Sequence, residues 1–360
     1  MNILILNWRD PKNPRAGGAE LVTMEHAKAW VTAGHSVAWF TSNFNGGKTE
    51  ELIDGVHIYR RGSSVTTLLL APFFYFKNRS QYQLIIDEIH GLPFMTPLYV
   101  RKTKLAFIHE VAVEIWDYMY PYPLNILGKW FESWYFKFYK NVTFWTVSDS
   151  TKKELQNRGV KNVTVIHNGI DIKAVDGEKE QKPTFVFVSR LVKMKGIEDI
   201  IDAFALIYEK DTTSQLWLIG TGEDEYVSRL KRHVITRNLD KNVTFFGHVP
   251  ENKKNQLLRR AHILLHASVK EGWGLVVLEA AAQSTPAVVY NVAGLRDSVV
   301  NDKTGLVISK NTPEELARQA VELLRDKKRY KEMQVRAYNW AKSFTWEKST
   351  QQSLRLITSL

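Results

Sequence analysis

The sequence predicts an α/β protein made of two doubly wound domains. Three observations carry this. Strand-like and helix-like segments alternate along nearly the whole chain, one polar stretch interrupts the alternation, and the chemically unusual residues sit directly after strand segments.

Ile3–Leu6 is an apolar run too short for a buried helix. From Ala19 to Ala33, Leu21, Met24, Ala27, Trp30 and Val31 recur at helical spacing, and Gly34-His35 ends the segment. Ser36–Thr41, Val56–Tyr59, Leu84–Asp87, Leu105–His109, Thr143–Val147 and Val163–His167 read as further strands. Such alternation predicts a mostly parallel sheet with helices on both faces. Residues 172–183, IKAVDGEKEQKP, are polar and end in proline, a linker signature. The alternation then restarts. Strands are expected at Thr184–Ser189, Leu216–Ile219, Val243–Phe246, Ile263–His266 and Ala287–Tyr290. Helices are expected at Ile197–Glu209, Tyr226–Arg237, Lys253–Arg260 and Leu275–Gln283, with helical patterns filling 313–360. The expected domains are 1–170, joined by a helix at about 345–360, and 184–344, with 171–183 between them. Two such domains facing each other enclose a cleft, with ligands outside the carboxyl ends of the strands.

A chain of 360 residues is comfortable for two domains, and 44% hydrophobic with 24% charged residues excludes a disordered chain. There is no cysteine, hence no disulfide framework, thiolate metal site or cysteine nucleophile. The N-terminal residues lack the basic start and long apolar run of a signal peptide, and no stretch is long enough to span a bilayer. The expectation is a cytoplasmic protein, peripheral at most on the inner face of the cell membrane. Net charge is 49 − 38 = +11. Through residue 168 there are 19 basic and 14 acidic side chains, so +5 lies there and +6 beyond. A nucleic-acid partner, an anionic membrane surface or phosphorylated substrates would each suit that excess. No nucleic-acid reader motif is present, which disfavours the first.

The sharpest cluster is Glu271-Gly272-Trp273-Gly274-Leu275-Val276-Val277-Leu278-Glu279, after the strand Ile263–His266. Its glycines permit a tight loop, and a helix starting near Gly274 offers free backbone N–H groups to an anion. If the eight steps between the glutamates were all helical, they would stand about 12 Å apart along the axis and about 80° apart around it. They suit two ends of an elongated ligand, each carboxylate accepting hydroxyls of a sugar or ribose; the alternative is two solvated acids. Ser189 to Gly196 (SRLVKMKG) follows another strand, and its Arg190 and Lys195 bracket a turn suited to a diphosphate. Gly220-Thr221-Gly222-Glu223 is only a partial dinucleotide fingerprint, because Glu225 stands at the third glycine position, so a dehydrogenase is disfavoured. Phe246-Gly247-His248-Val249-Pro250 is a nucleoside-base wall or a structural turn.

In order and spacing these blocks resemble the family-4 retaining glycosyltransferases of GT-B fold. Gly17-Gly18-Ala19-Glu20, His109, Val147-Ser148-Asp149-Ser150 and His167-Asn168-Gly169-Ile170-Asp171 extend the resemblance over nearly the whole chain, with Trp273 where phenylalanine is commoner. The resemblance implies that Glu271 contacts the donor hexose, that Glu279 binds the ribose, and that Arg190 and Lys195 hold the diphosphate. It implies backbone contacts from Gly17, Gly18, Gly222, Gly274, Leu275 and Val276, a base flanked by His248 and Val249, and His109 beside the transferred sugar. His109 also has a plainer reading, as a buried hydrogen-bonded histidine. The last helix, near Trp346 to Ser359, would cross back onto the first domain. A nucleotide sugar is then the co-substrate, and no metal or other cofactor is expected, since cationic side chains and a helix N-terminus stabilise the leaving diphosphate. In this family the acceptor is thought to attack on the leaving-group face, the departing phosphate taking its proton.

The first half holds 27 of the 42 aromatic residues, 11 of them between Trp116 and Tyr139. Lys129, Trp130, Trp134 and Lys137 sit in this run, a combination suited to a membrane–water interface. Leu68 to Phe74, followed by Lys77 and Arg79, is a second such segment; ordinary core edged by lysines is the alternative. Asp87, Glu88 and His90 end a strand and are expected either to touch an acceptor or to shape a loop. The acceptor expected is lipid-linked or a glycan precursor. Two other functions fit the architecture: a sugar-nucleotide epimerase or hydrolase, which would work without an acceptor, and a non-catalytic membrane scaffold.

Overall fold

A computed structural model describes residues 1–173 and 175–360. Ala174, within the expected linker, lies outside the described residues. The chain divides into two compact units, residues 1–169 with 346–360, and residues 170–345.

In the first unit, strands β1 (Asn2–Leu6), β2 (Ser36–Thr41), β3 (Glu50–Ile53), β4 (Val56–Arg60), β5 (Leu84–Ile89), β6 (Thr103–Ile108), β7 (Thr143–Thr146) and β8 (Val163–Val165) form one sheet. Its order is β3-β4-β2-β1-β5-β6-β7-β8. All neighbours are parallel except β3 with β4, a hairpin at the edge. The sequence reading missed β3 because Glu-Glu-Leu-Ile is mostly exposed and has no apolar face to reveal it.

The helices are α1 (Gly18–Thr32), α2 (Thr66–Asn78), α3 (Trp116–Met119), α4 (Leu124–Tyr139) and α5 (Asp149–Asn157). Side chains alternate along a strand, so the two faces of β5 differ. Ile85 and Ile89 meet α2 and α4, whose Ala71, Tyr75, Tyr135, Phe136 and Tyr139 fill that side of the core. Asp87 points the same way. Its carboxylate accepts from Phe94 N (3.0 Å), Thr96 N (3.2 Å), Thr96 Oγ1 (2.7 Å) and the Tyr139 hydroxyl. Asp87 is fully buried and its oxygens are spent inside the fold, which corrects the expectation that it touches an acceptor.

In the second unit, β9 (Thr184–Val188), β10 (Gln215–Ile219), β11 (Val243–Gly247), β12 (Ile263–His266), β13 (Ala287–Val289) and β14 (Gly305–Val307) form an all-parallel sheet. Its order is β11-β10-β9-β12-β13-β14. The helices are α6 (Ile197–Lys210), α7 (Asp224–Thr236), α8 (Glu251–Arg260), α9 (Leu275–Ala282), α10 (Leu295–Ser298), α11 (Pro313–Arg325) and α12 (Lys327–Ala341). One face of the sheet packs on α6, α7 and α11, the other on α8 and α9. The inner strands β9, β10, β12 and β13 are therefore covered on both sides, which is why these segments read as continuous apolar runs. The polar stretch before β9 lies against this unit. Lys179 Nζ donates to Ala261 O and Thr285 Oγ1, both at 2.6 Å, and Arg259 Nε donates to Gly177 O (3.0 Å).

Helix α13 (Trp346–Thr358) belongs to the first unit, packed on α1 as the sequence led one to expect. Ser353 Oγ meets His26 Nδ1 (2.8 Å) and Trp30 Nε1 (3.1 Å), and Ser349 Oγ donates to His167 O (2.6 Å).

The loop after β1 is pinned by a fully buried ion pair. Arg60 of β4 sets Nε and Nη2 on the two Asp10 oxygens, each at 2.8 Å. Removing one partner of such a pair strands the other charge, which costs about 3–5 kcal/mol. Asp10→Ala is expected to lose that much in urea unfolding, with the m-value unchanged.

Candidate active site

In an open α/β sheet, ligands gather where chain connections leave in opposite directions from adjacent strands. The second unit has that point between β9 and β12: the chain runs from β9 outward through β10 and β11, then returns to start β12 on the other side of β9. The loops after β9 and β12 lie together there, with Val269 N donating to Met194 O (3.0 Å).

Lys195 and Glu271 meet at this place. Lys195 Nζ donates to Glu271 Oε1 (2.5 Å), and Ser268 Oγ donates to the same oxygen (2.7 Å). His266 Nε2 stands 3.6 Å from it. These three groups all approach the same carboxylate oxygen, Oε1. Burial pushes the Glu271 carboxyl up, and the Lys195 ammonium, aided by His266 and Ser268, outweighs burial and holds it below the usual carboxylate range. Burial drives His266 down to about 4, with Glu271 opposing and Lys195 adding to the shift.

Glycines make the approach of these loops possible. A Cβ on Gly196 would stand 2.1 Å from Ala267 O, and one on Gly294 2.1 Å from Glu271 O. Gly220 and Gly222 press likewise on Ser189 O and Leu191 O, at 1.8 and 2.0 Å from a built Cβ, so the partial dinucleotide fingerprint is a loop-packing device. Gly274, at φ +80°, caps α9, and the first-turn N–H groups of Gly274, Leu275 and Val276 have no intrahelical acceptor.

The remaining expected donor residues sit on neighbouring loops of the same sheet edge. Arg190 is exposed. Glu279, one to two turns along α9, gives Oε2 to Lys254 (2.8 Å). His248 is exposed, whereas Val249 packs against the cluster holding Trp217 and Leu257. Trp273 is 3% exposed and rests edge-on against Phe344, so it is core. His266, Ser268 and Gly294 escaped the sequence reading. A glycine just after β13 was the available signal for the last; the other two carry no local pattern.

The first unit has its reversal between β1 and β5. The loop after β1 leads to Gly17 and Gly18 at the start of α1, where Gly17 N donates to Glu20 Oε2 (2.7 Å) and Arg9 Nε to Glu20 Oε1 (2.7 Å). That spends the Gly17 N–H within the fold and leaves Gly18 at the exposed helix start. Glu88 ends β5 on the face opposite Asp87. Its Oε1 accepts from Thr23 Oγ1 (2.7 Å), with His90 Nε2 at 3.1 Å and His109 Nε2 at 3.4 Å. The two imidazoles stack at 5.7 Å. Burial alone would raise Glu88, but the adjoining His109 and His90 rings hold it at about 2.

On the α2 and α4 side of this sheet, both helices carry apolar residues outward as well as inward. Leu69, Phe73 and Phe76 of α2 and Leu127, Trp130 and Phe138 of α4 are exposed, Phe73 at 73% and Trp130 at 64%. Trp134 is half-buried and stacks on Trp130 (6.2 Å). Lys129 pairs with Asp117 (2.5 Å), and Lys137 is exposed. Among the described residues, no helix is long and apolar enough to cross a membrane.

Known proteins are similar to this chain. The family profile for glycosyltransferase family 4 matches residues 16–174, and that for glycosyl transferases group 1 matches residues 170–340. Two uncharacterised glycosyltransferases of Methanocaldococcus jannaschii are similar. MJ1607 is 27% identical over 88% of this chain and 87% of its own length. MJ1178 is 28% identical over 56% of this chain, which spans only 55% of that protein. Among solved structures, Anabaena HepE in complex with UDP and glucose superposes with a TM-score of 0.79 at 19% identity, covering all of both chains. These likenesses agree with the GT-B fold expected from the sequence.

Two buried histidines give the fold a pH signature. His26 is held at about 3, by burial first, and His266 at about 4. The unfolded chain takes up these protons near 6.5 and the folded chain does not, so stability is full above about pH 6.5 and falls as pH drops toward 4. Each histidine contributes up to about 1.4 kcal/mol per pH unit in that window. His266→Gln is expected to make the fall shallower by one such share, measured by urea unfolding between pH 4 and 7.

Proposed function

The chain belongs to the family-4 glycosyltransferases, a family of retaining enzymes, and we propose that it moves a hexose from a nucleotide sugar, a UDP-hexose or GDP-mannose, to a lipid-linked or glycan acceptor at a membrane surface. The observation that carries the donor half is the Lys195–Glu271 pair at the reversal point of the second sheet, beside the start of α9. Glu271 receives hexose hydroxyls. The acceptor hydroxyl oxygen bonds to the anomeric carbon as the bond from that carbon to the diphosphate oxygen breaks; negative charge gathers on the departing diphosphate, which takes the hydroxyl proton. Lys195, Arg190 and the N–H groups of Gly274 to Val276 face that charge as it grows, so they stabilise the transition state more than the ground state. Glu279 binds the ribose in exchange for Lys254. The second unit is the donor domain on this reading and the first the acceptor domain, with His109 near the transferred sugar. The solved complex of HepE with UDP and glucose puts a UDP-hexose first among the candidates.

The doubled apolar faces of α2 and α4 support the membrane half. A surface helix of a water-soluble domain normally turns polar residues outward. Here the outward stripes are apolar and flanked by Lys77, Arg79 and Lys137, a pattern that seats an aromatic face at an anionic interface.

Thermal unfolding against UDP-, GDP- and ADP-sugars without added metal tests the donor half. One nucleotide class is expected to stabilise the fold by about 2.7 kcal/mol at a hundredfold excess over Kd. The shift should vanish in Glu279→Ala and Arg190→Ala; no shift with any sugar nucleotide would favour a non-catalytic scaffold. For the membrane half, the protein should sediment with anionic vesicles at low salt, and Phe73→Ser with Trp130→Ser should release it. Indifference of the unmodified protein to such vesicles would sink that half alone.

A further inference from the structure

Asp87 and Glu88 are adjacent buried carboxylates used in opposite ways. Asp87 collects four donors over both oxygens and ties the 94–96 loop and α4 to the sheet. Glu88 takes Thr23 and His90 on Oε1, with His109 Nε2 3.4 Å from the same oxygen, while its buried Oε2 has no hydrogen-bond partner among the described residues. A carboxylate present only for stability would satisfy both oxygens, because a bare buried acceptor costs about 1–3 kcal/mol. Glu88 ends one of the two strands that flank the reversal point of the first sheet, where ligands are expected.

We propose that Glu88 is a positioning residue that fixes the tautomer and orientation of His109 and His90, so that each ring presents its Nδ1 lone pair to a hydroxyl of the ligand. An ionised carboxylate only accepts hydrogen bonds. The nitrogen facing Oε1 must therefore carry the proton, and in both rings that nitrogen is Nε2. His109 Nε2 is buried and makes no hydrogen bond, and at 3.4 Å the Glu88 oxygen is the charged acceptor that faces it. A neutral imidazole protonated at Nε2 is an acceptor at Nδ1. The stacking of the rings sets both acceptors in nearly parallel planes, 21° apart. The cluster also closes itself to a cation, since both imidazoles already turn to one carboxylate oxygen.

Other charged groups near the pair are Glu20, held by Arg9, and His26. Burial lowers the His109 pKa and Glu88 opposes that shift, while Glu88 itself stays ionised down to about pH 2. The lock therefore persists through the physiological range. The inference rests on the reading that His109 lies beside the transferred sugar, but its test needs no sugar.

The experiment is long-range 1H–15N correlation spectroscopy of the full chain labelled with 15N-histidine, between pH 6 and 8. His90→Gln and His109→Gln assign the two rings. The unmodified protein should show both with Nε2 protonated and Nδ1 bare. Glu88→Gln keeps an acceptor but loses the charge and adds a donor. It should cut the bare-Nδ1 population of His109 by at least half and lower the pH midpoint of its protonation. Thr23→Val removes a competing donor and should leave the lock intact. An Nδ1–H tautomer at His109 in the unmodified protein would overturn the proposal whether or not the variant folds, as would unchanged spectra in a folded Glu88→Gln protein. A protein that shows the lock but no thermal shift with UDP-glucose or any other sugar nucleotide counts against the donor reading and leaves this one standing.

Discussion

The parallel pairing of β1 with β5, and of β9 with β12, decides where everything else in this molecule can go. In each sheet these two central strands are the pair from which the chain leaves in opposite directions. Crossovers diverging from a common pair leave a gap above the carboxyl ends of the strands, with no helix to fill it. The loops bordering that gap are free to carry chemistry. In the first unit they hold the approach to Gly17–Gly18 and the Glu88-His90 turn. In the second they hold the turn through Lys195 and the loop from Ala267 to Gly274.

Both units then use one device at the gap. A carboxylate at or just beyond a strand end collects donors on a single oxygen: Glu88 from Thr23 and His90, with His109 close by, and Glu271 from Lys195 and Ser268. Burial disfavours either charge, and the clustered donors more than offset it, so each carboxyl lies below its ordinary range. Asp87 is the contrast: four neutral donors do not overcome burial, and its carboxyl lies above that range. The difference is the nearby cationic or protonatable partner that Asp87 lacks. It separates the two carboxylates at the gaps from the one that ties a loop and a helix to the sheet.

The aromatic richness of the first half has two sources that composition alone merges. Tyr135, Phe136 and Tyr139 fill the core, and Trp145 lies stacked on Phe107 beneath α1. Leu127, Trp130 and Phe138 occupy the other side of α4, and Leu69, Phe73 and Phe76 the outer side of α2. The second set is exposed, although Phe76 also touches Tyr75 and Tyr99, and Phe138 touches Trp134.

The sequence by itself determined the class of fold and placed most strands and helices to within a residue or two. Those depend on local periodicity and on glycine and charge placed after apolar runs, which the chain order records directly. It missed β3, whose exposure removed the period, it missed the three-residue β14 and placed no helix at α2 to α5 or α10, and it could not divide Asp87 from Glu88, which are alternatives of side-chain direction one residue apart. It also missed His266, Ser268 and Gly294, which matter only through what they touch. Tertiary structure alone decided that Lys195 meets Glu271 across 76 positions, that Glu88 meets His109, and that Asp87 serves the core. The physical reason is that a carboxylate's role is fixed by how many donors reach it and how much water is excluded, and both depend on strands that are far apart in the chain.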